Sequence, residues 1–457
     1  MSADNNIIIK NARLANTGET ADTVDILVLN GIIEEIKKSG GREITRGSLA
    51  SVKTTDARGN YISPGFIDIH AHLRDPGFTY KEDIESGTRA AVRGGVTTLC
   101  CMPNTNPCID SPDIIKYIIN SKSYCDILPV GALTKSQKGE ELTDFAELKR
   151  AGAAALSDDG RPVEDENLMR EALIKAKENN MLVISHCEDL SLAEGGVMND
   201  GEVLREINNK YNLDLKGIPN EAEDKITKRD IDSACEIGAR LHIAHVSSGK
   251  SVDYIAEAKN LGFKITAETC PHYFVLTDED ILKYGANAKM NPPLRSAGDR
   301  EKIISAIKSG VIDCISTDHA PHSPEDKKDG QNKKSGKDYF EDLRNAANGI
   351  TGLETLFPLC VTYLVKRNRI TLAKLIEALT INPAKIIGID KTRGTIETGK
   401  RADFVIFNTD EKFIFDKSES FSKSRNTPFG GFELYGRILY TIVNGGIVYE
   451  SDNINLI

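Results

Sequence analysis

The sequence predicts an α/β protein: a (β/α)8 TIM-type barrel joined to a small discontinuous β-sandwich formed by the N- and C-terminal segments. Three observations predict it. Eight apolar, β-prone runs alternate with helical stretches through the middle of the chain, the strand count of such a barrel. Side chains of metal-ligand type fall at the C-terminal ends of these runs, the end at which barrels of this class build their sites. The two ends of the chain share another texture, short β-rich runs broken by turn residues. A length of 457 residues accommodates a barrel of about 250 residues and an accessory domain.

Taken in order, residues 1–60 carry β-rich runs at 7–10, 24–28 and 32–36, and residues 391–457 return to that texture at 402–407 and 440–449. The two ends are expected to pair into one domain, leaving 61–390 as the barrel. Its strands are expected around 62–69, 96–102, 127–133, 153–157, 182–185, 241–244, 264–268 and 312–316. Between them, residues 168–176 place apolar side chains at three- and four-residue spacing, as a connecting helix does. Residues 323–338 are polar and punctuated by glycine. They read as a solvated loop, its lysines in water, and their position after a site-bearing strand suggests a lid. No internal repeat is present.

The formal net charge is −10 and no basic cluster occurs, which argues against a nucleic-acid partner. No run approaches the ~18 apolar residues of a membrane span, and the polar start, Met1-Ser2-Ala3-Asp4-Asn5-Asn6, lacks the basic and apolar regions of a secretion signal. The nine cysteines are odd in number, and Cys100, Cys101, Cys187, Cys235, Cys314 and Cys360 sit in apolar runs, where cysteine packs as a small hydrophobe. A reducing, cytoplasmic setting is expected rather than a disulfide scaffold.

Four of the eight histidines arrive as two pairs, His70-Ala71-His72 and His319-Ala320-Pro321-His322, each after an apolar run and beside a carboxylate. A strand period of two puts His70 and His72 on one face, where they can share an ion. His186 and His245 end apolar runs in the same way, Asp318 ends another, and Asp158-Asp159 follows a fourth. Zinc takes imidazole and carboxylate ligands and, in a catalytic site, keeps a position for water. Five or six ligands exceed the need of one tetrahedral ion, so two ions sharing a carboxylate are expected. A hydroxide between them would be nucleophilic near neutral pH, which points to hydrolysis at a carbonyl carbon or its reversal. Isolated strand histidines are ordinarily buried hydrogen-bonding groups, and three are set aside on that ground. His242, three residues before His245, is expected to face the helical shell. His272 has no ligand partner in sequence, and His319 should point away from Asp318. Asp68 reads as a buried partner of His70.

The segments His70-Ala71-His72-Leu73-Arg74-Asp75-Pro76-Gly77, Met102-Pro103-Asn104-Thr105, Ser185-His186-Cys187-Glu188-Asp189, Ala244-His245-Val246-Ser247, Lys289-Met290-Asn291-Pro292-Pro293-Leu294-Arg295 and Ser316-Thr317-Asp318-His319-Ala320-Pro321-His322 together resemble dihydroorotases of the longer type, within the amidohydrolase superfamily. The resemblance continues through Gly349-Ile350-Thr351-Gly352-Leu353-Glu354, Thr395 to Phe404, and Asn426-Thr427-Pro428-Phe429. It implies reversible closure of N-carbamoyl-L-aspartate to L-dihydroorotate, the ring-forming step of pyrimidine synthesis, with one or two Zn2+ ions. By position, His70, His72 and Asp318 would hold one ion and His186 and His245 the second. Asp318 would also serve as general acid and base, and Arg74, Asn104, Asn291 and His322 would contact the substrate. Many superfamily members bridge their ions with a carbamylated lysine after the fourth strand, where this chain has Ser157-Asp158-Asp159-Gly160. An aspartate takes that place, and the spacing to His186 in relatives favours Asp159 over Asp158. The competing roles are an ion pair with Asp75 for Arg74 and turn hydrogen bonds for the two asparagines. The rival functions are an allantoinase or hydantoinase, disfavoured by Arg74 and the missing lysine, and a non-catalytic scaffold, disfavoured by the full ligand set. Some relatives bind aspartate carbamoyltransferase; the resemblance leaves that partner and homo-oligomer formation open.

Overall fold

The computed structural model describes residues 5–16, 22–41, 52–328 and 336–451. Eight strands run parallel in chain order: Phe66–Ala71, Val96–Cys101, Asp126–Ala132, Ala155–Ser157, Val183–Ser185, Leu241–Ile243, Ile265–Thr269 and Cys314–Ile315. Each pairs with the next, and a bridge from Ala71 to His319 closes the ring. Seven of the eight expected runs are single strands of the barrel, shifted by a few residues at their ends, and the first, 62–69, is divided.

The strands are apolar on both faces because both are covered. Leu156, Val183, Leu241, Ile243 and Ile265 pack outward in the cluster shared with the surrounding helices. Ile67, Ile69, Val130, Ala155, Ile184, Ala244 and Cys314 fill the interior with Ala384 and Ile386. The last two come from the short helix Ile381–Ile387, whose Ile386 carbonyl accepts from Arg240 just before the sixth strand. That helix plugs the N-terminal end of the barrel, so the open end is the one carrying the ligand-type residues.

The connecting helices are specified by caps and stripes. Glu166–Glu178, over the predicted 168–176, is capped by Asp165 and buries Met169, Ala172, Leu173 and Ala176, one face at three- and four-residue spacing. Ile84–Arg93 starts from a reciprocal Asp83–Ser86 capping box.

The expected pairing of the two chain ends is present. One sheet runs in the order Gly446–Glu450, Glu433–Val443, Phe404–Ile414, Tyr61–Pro64, Ile7–Leu14, Val24–Leu29, Ile32–Lys38, with Lys53–Asp56 beside Ile7–Leu14. Phe404 to Phe407 pair antiparallel with Pro64 to Tyr61. Ile7, Ile9, Ile26, Val28, Ile33, Phe404, Ile406 and Ile442 enclose one core, so the sheet folds over itself.

The strand expected around 62–69 is in fact two. Tyr61–Pro64 belongs to the accessory sheet and Phe66–Ala71 to the barrel, with Gly65 between them. A Cβ on Gly65 would lie 2.1 Å from Thr97 Oγ1, so only glycine permits the crossing. Among the described residues no helix is long and apolar enough to cross a membrane.

Candidate metal centre

Six side chains converge at the open end of the barrel. His70 lies at the end of the first strand and His72 just past it; Asp159, His186, His245 and Asp318 follow the fourth, fifth, sixth and eighth. All six are buried. Asp159 sits at the hub: Oδ1 is 3.3 Å from His70 Nε2 and 3.5 Å from both His186 Nδ1 and His245 Nε2, while Oδ2 is 3.5 Å from His72 Nε2. Asp318 Oδ1 lies 3.0 Å from His72 Nε2 and 3.7 Å from His70 Nε2. Two overlapping donor groups result, His70–Asp159–His245 and His70–His72–Asp318.

Three of the imidazoles are aimed from behind. His70 Nδ1 is 2.6 Å from Glu268 Oε1, His72 Nδ1 2.8 Å from Asn104 Oδ1, and His186 Nε2 3.1 Å from Glu188 Oε2. Each acceptor takes a ring N–H and turns the other ring nitrogen toward the centre, the outer arrangement that orients metal-ligating histidines. At the centre His70 Nε2 and Asp159 Oδ1 have no hydrogen-bond partner although fully buried. Orphaned donors at 3.3 to 3.7 Å, too far for good hydrogen bonds, are the spacing an ion with ligand bonds of about 2.0–2.2 Å would span. The donor set therefore fits a metal ion.

The electrostatics agree. Burial disfavours charge on His70 and His186, yet Asp159 with Glu268 lifts His70 well above the ordinary imidazole range, and Asp159 with Glu188 lifts His186 to about 10. Burial alone would raise Asp318, but His72 and His70 hold it at about 2. The pocket pulls positive charge inward. Arg74, His245 and Asp318 all have left-handed backbone, at φ of 61°, 34° and 45°. Non-glycine residues keep such conformations where the surroundings fix them, as at functional sites.

Beside this centre lies a cationic wall. Arg74 is half-buried, its Nε donating to the Pro321 carbonyl at 3.2 Å and one terminal nitrogen 3.3 Å from His322 Nε2. Asp75 is not its partner but accepts from Tyr117 Oη at 2.9 Å, and among the described residues no carboxylate forms an ion pair with Arg74. His322 Nε2 donates to the Asn348 carbonyl at 2.8 Å, leaving Nδ1 to accept from Lys81 at 3.4 Å. Burial and then Arg74 push His322 down to about 2, so it is neutral. Asn291 donates to both oxygens of Glu188 at 3.0 Å, which ties it to the partner of His186.

Asp158 turns away from the centre: it accepts from Leu133 N at 2.8 Å, from Thr134 N and from the Thr134 hydroxyl, and so holds the loop after the third strand. His319 also points away, between Glu82 at 3.4 Å and Gly352 N at 3.1 Å. Asp68 accepts from His70 N, Thr317 N and Thr317 Oγ1, crosslinking the first and eighth strands. Two expectations fail. His242 does not face the helical shell; its Nδ1 is 2.8 Å from Thr266 Oγ1 and its Nε2 3.5 Å from Glu268, inside the barrel. The two-residue alternation that would turn it outward ends when His245 adopts positive φ. Lys327, read as solvated, is 1 % exposed, and its Nζ donates to the carbonyls of Lys289, Ala347 and Gly349 at 3.1, 2.8 and 2.9 Å. Residues 329–335 of the suggested lid lie outside the described residues. Glu188, Glu268 and Lys81 were not singled out in the sequence. For Glu268 the signal was a carboxylate inside an apolar strand, a position that demands a partner.

A family described as Dihydro-orotase-like matches residues 59–251, and the Amidohydrolase family matches residues 239–449. The chain is 47% identical to a dihydroorotase of Acetivibrio thermocellus, over 94% of this chain and 96% of that protein. It is 46% identical to a dihydroorotase of Ruminiclostridium cellulolyticum, over 96% of this chain and 97% of the relative. Among solved structures it resembles the L-hydantoinase (dihydropyrimidinase) of Arthrobacter aurescens, with a TM-score of 0.84 at 26% identity and coverage of 97% and 96%. The fold is thus shared with hydantoinases, while near-full-length identity approaching one half lies with dihydroorotases. The chain belongs to the dihydroorotase family of the amidohydrolase superfamily.

Proposed function

We propose that the chain interconverts L-dihydroorotate and N-carbamoyl-L-aspartate, the ring-closing step of pyrimidine synthesis, as a metal-dependent cyclic amidase. The observation that carries this reading is the juxtaposition of a buried imidazole–carboxylate cluster with Arg74, a fork-shaped cation that no carboxylate pairs among the described residues. Such a fork suits a planar substrate carboxylate, which dihydroorotate has and hydantoin lacks.

His70, His72, Asp159, His186, His245 and Asp318 would hold one or two Zn2+ ions, with Asp159 between them. Bound there, the metal would polarise the ring amide carbonyl and lower the pKa of water. The remaining chemistry belongs to the chain. Asp318, held ionised at neutral pH by its histidine neighbours, takes the proton of the attacking water and passes it to the departing ring nitrogen. Arg74 and Asn104 bind the substrate carboxylate, and Asn291 and His322 contact the substrate beside them. Lys81, ion-paired with Asp326 at 3.3 Å, stands on the same wall. Nine unpaired cysteines, eight of them buried, support a reducing cytoplasmic setting.

The test is turnover of L-dihydroorotate by metal-quantified protein, with hydantoin and allantoin in parallel. Loss of dihydroorotate alone, abolished in Asp318→Asn, is expected. Turnover of hydantoin or allantoin instead would favour the fold's other occupants, and no turnover with metal bound would favour a scaffold.

A further inference from the structure

The motif Asn426-Thr427-Pro428-Phe429 plays no part in the chemistry above, yet Asn426 is buried against the pocket wall. It lies in the excursion between the accessory strands Phe404–Ile414 and Glu433–Val443. Its Oδ1 accepts from His322 N at 3.0 Å; its Nδ2 donates to the carbonyls of Ala320 at 3.0 Å and Gly349 at 3.1 Å; and its own carbonyl accepts from Thr351 N at 2.9 Å. One residue thus joins both halves of the loop after the eighth barrel strand. The amide is the side chain this position requires, because it faces one N–H and two C=O groups, and the orientation of its oxygen and nitrogen follows from those partners. A carboxylate would set negative charge against two carbonyl oxygens.

The same excursion grips the loop after the first strand. Ser422 Oγ donates to Glu82 and Lys423 N does so at 3.2 Å, Ser424 Oγ donates to the Lys81 carbonyl at 2.7 Å, and Lys423 Nζ to that of Thr79 at 2.9 Å. The two loops it joins carry Lys81 and His322, which face each other across the substrate wall.

We propose that Asn426 is a positioning residue, contributed by the accessory domain, that fixes His322 and so the carboxylate-binding end of the pocket. The kinetic part of this inference rests on the activity proposed above. The experiment is a double-mutant cycle of Asn426→Ala and His322→Ala, with amide hydrogen exchange followed on each protein. Asn426→Ala should raise KM for dihydroorotate by about tenfold or more with metal content unchanged, and should add less than about twofold when His322 is already alanine. Exchange should quicken at 320–323 and 349–351 and nowhere in the metal-bearing segments around 70, 186 and 245. Multiplicative losses, or unchanged exchange at 320–323, would overturn the proposal. Asn426→Asp, nearly isosteric, takes the same readings if the alanine variant does not fold. A wild-type protein inactive on dihydroorotate would sink the activity instead, and the exchange experiment would still judge Asn426.

Discussion

Replacing Arg74 by methionine keeps the apolar stem and removes the fork, and the structure sets how much that should cost. Its Nε is committed to the Pro321 carbonyl, which leaves the two terminal nitrogens for a substrate carboxylate. Burial lowers the guanidinium to about 10, so it stays charged through neutral pH. Two charge-assisted hydrogen bonds in a partly desolvated pocket contribute about 1.5–3 kcal/mol each, and their joint loss comes to about 3–5 kcal/mol. That is roughly a hundred- to several-thousand-fold in kcat/KM for dihydroorotate. The control is the same dihydropyrimidine ring without its carboxylate, for which the variant should change kcat/KM by less than about threefold. Metal content should be unchanged, since no metal-ligand candidate bonds to Arg74. The assay follows the ring amide absorbance for both substrates. Equal losses on both would refute the reasoning, reducing Arg74 to a brace for the Pro321 turn.

Three further outcomes separate the remaining roles. Asp159→Asn should lower bound metal per chain, whereas Asp158→Asn should leave metal content intact and weaken the fold by about 1–3 kcal/mol through the loop it holds, which metal analysis and urea denaturation will distinguish. Glu268→Gln should weaken metal binding by about 10–100-fold in a chelator competition, because it removes the carboxylate behind His70; unchanged affinity would show that His70 needs no such support. Burial holds Lys289 at about 8 against 10.5 when free, so between those pH values the unfolded chain binds more protons at this site than the folded one. The cost of burying its charge is fully present below pH 8 and fades toward 10.5. Relative to Lys289→Met, the wild-type protein should therefore gain up to ~3 kcal/mol over that window, read from denaturation midpoints; parallel curves would refute it.

The barrel was legible because its strands are buried on both faces and therefore appear as short, uninterrupted apolar runs. The ligand-type residues were legible because each directly follows such a run. Other features lacked a local signature. Asn104 acquires its role only through a partner from another strand, His72, and Glu188, although two residues from His186, only through the path of the loop they share. Lys327 sits in a stretch of charge that looks solvated, and only the three carbonyls folded around its Nζ reveal otherwise. The crossing at Gly65 was hidden because Tyr61–Pro64 and Phe66–Ala71 are both apolar, and the distinction lies in which sheet each joins.

His242 shows why the site cannot be aimed by strand period alone. The alternation of side chains holds inside a strand, but every candidate ligand sits at or beyond a strand end, where His245 and Asp318 have already left extended backbone. What sets direction there is a second layer of crosslinks between neighbouring loops. Asp68 ties the first strand to Thr317, Glu82 holds His319 beside Asp318, and Asn426 fastens the turn of His322 to Gly349. Two of these ties reach the accessory segment, since Glu82 also accepts from Ser422 and Asn426 belongs to that segment. The discontinuous domain is therefore structurally continuous with the pocket, and the sheet that holds both Ile7–Leu14 and Gly446–Glu450 helps to aim the candidate ligands of the barrel.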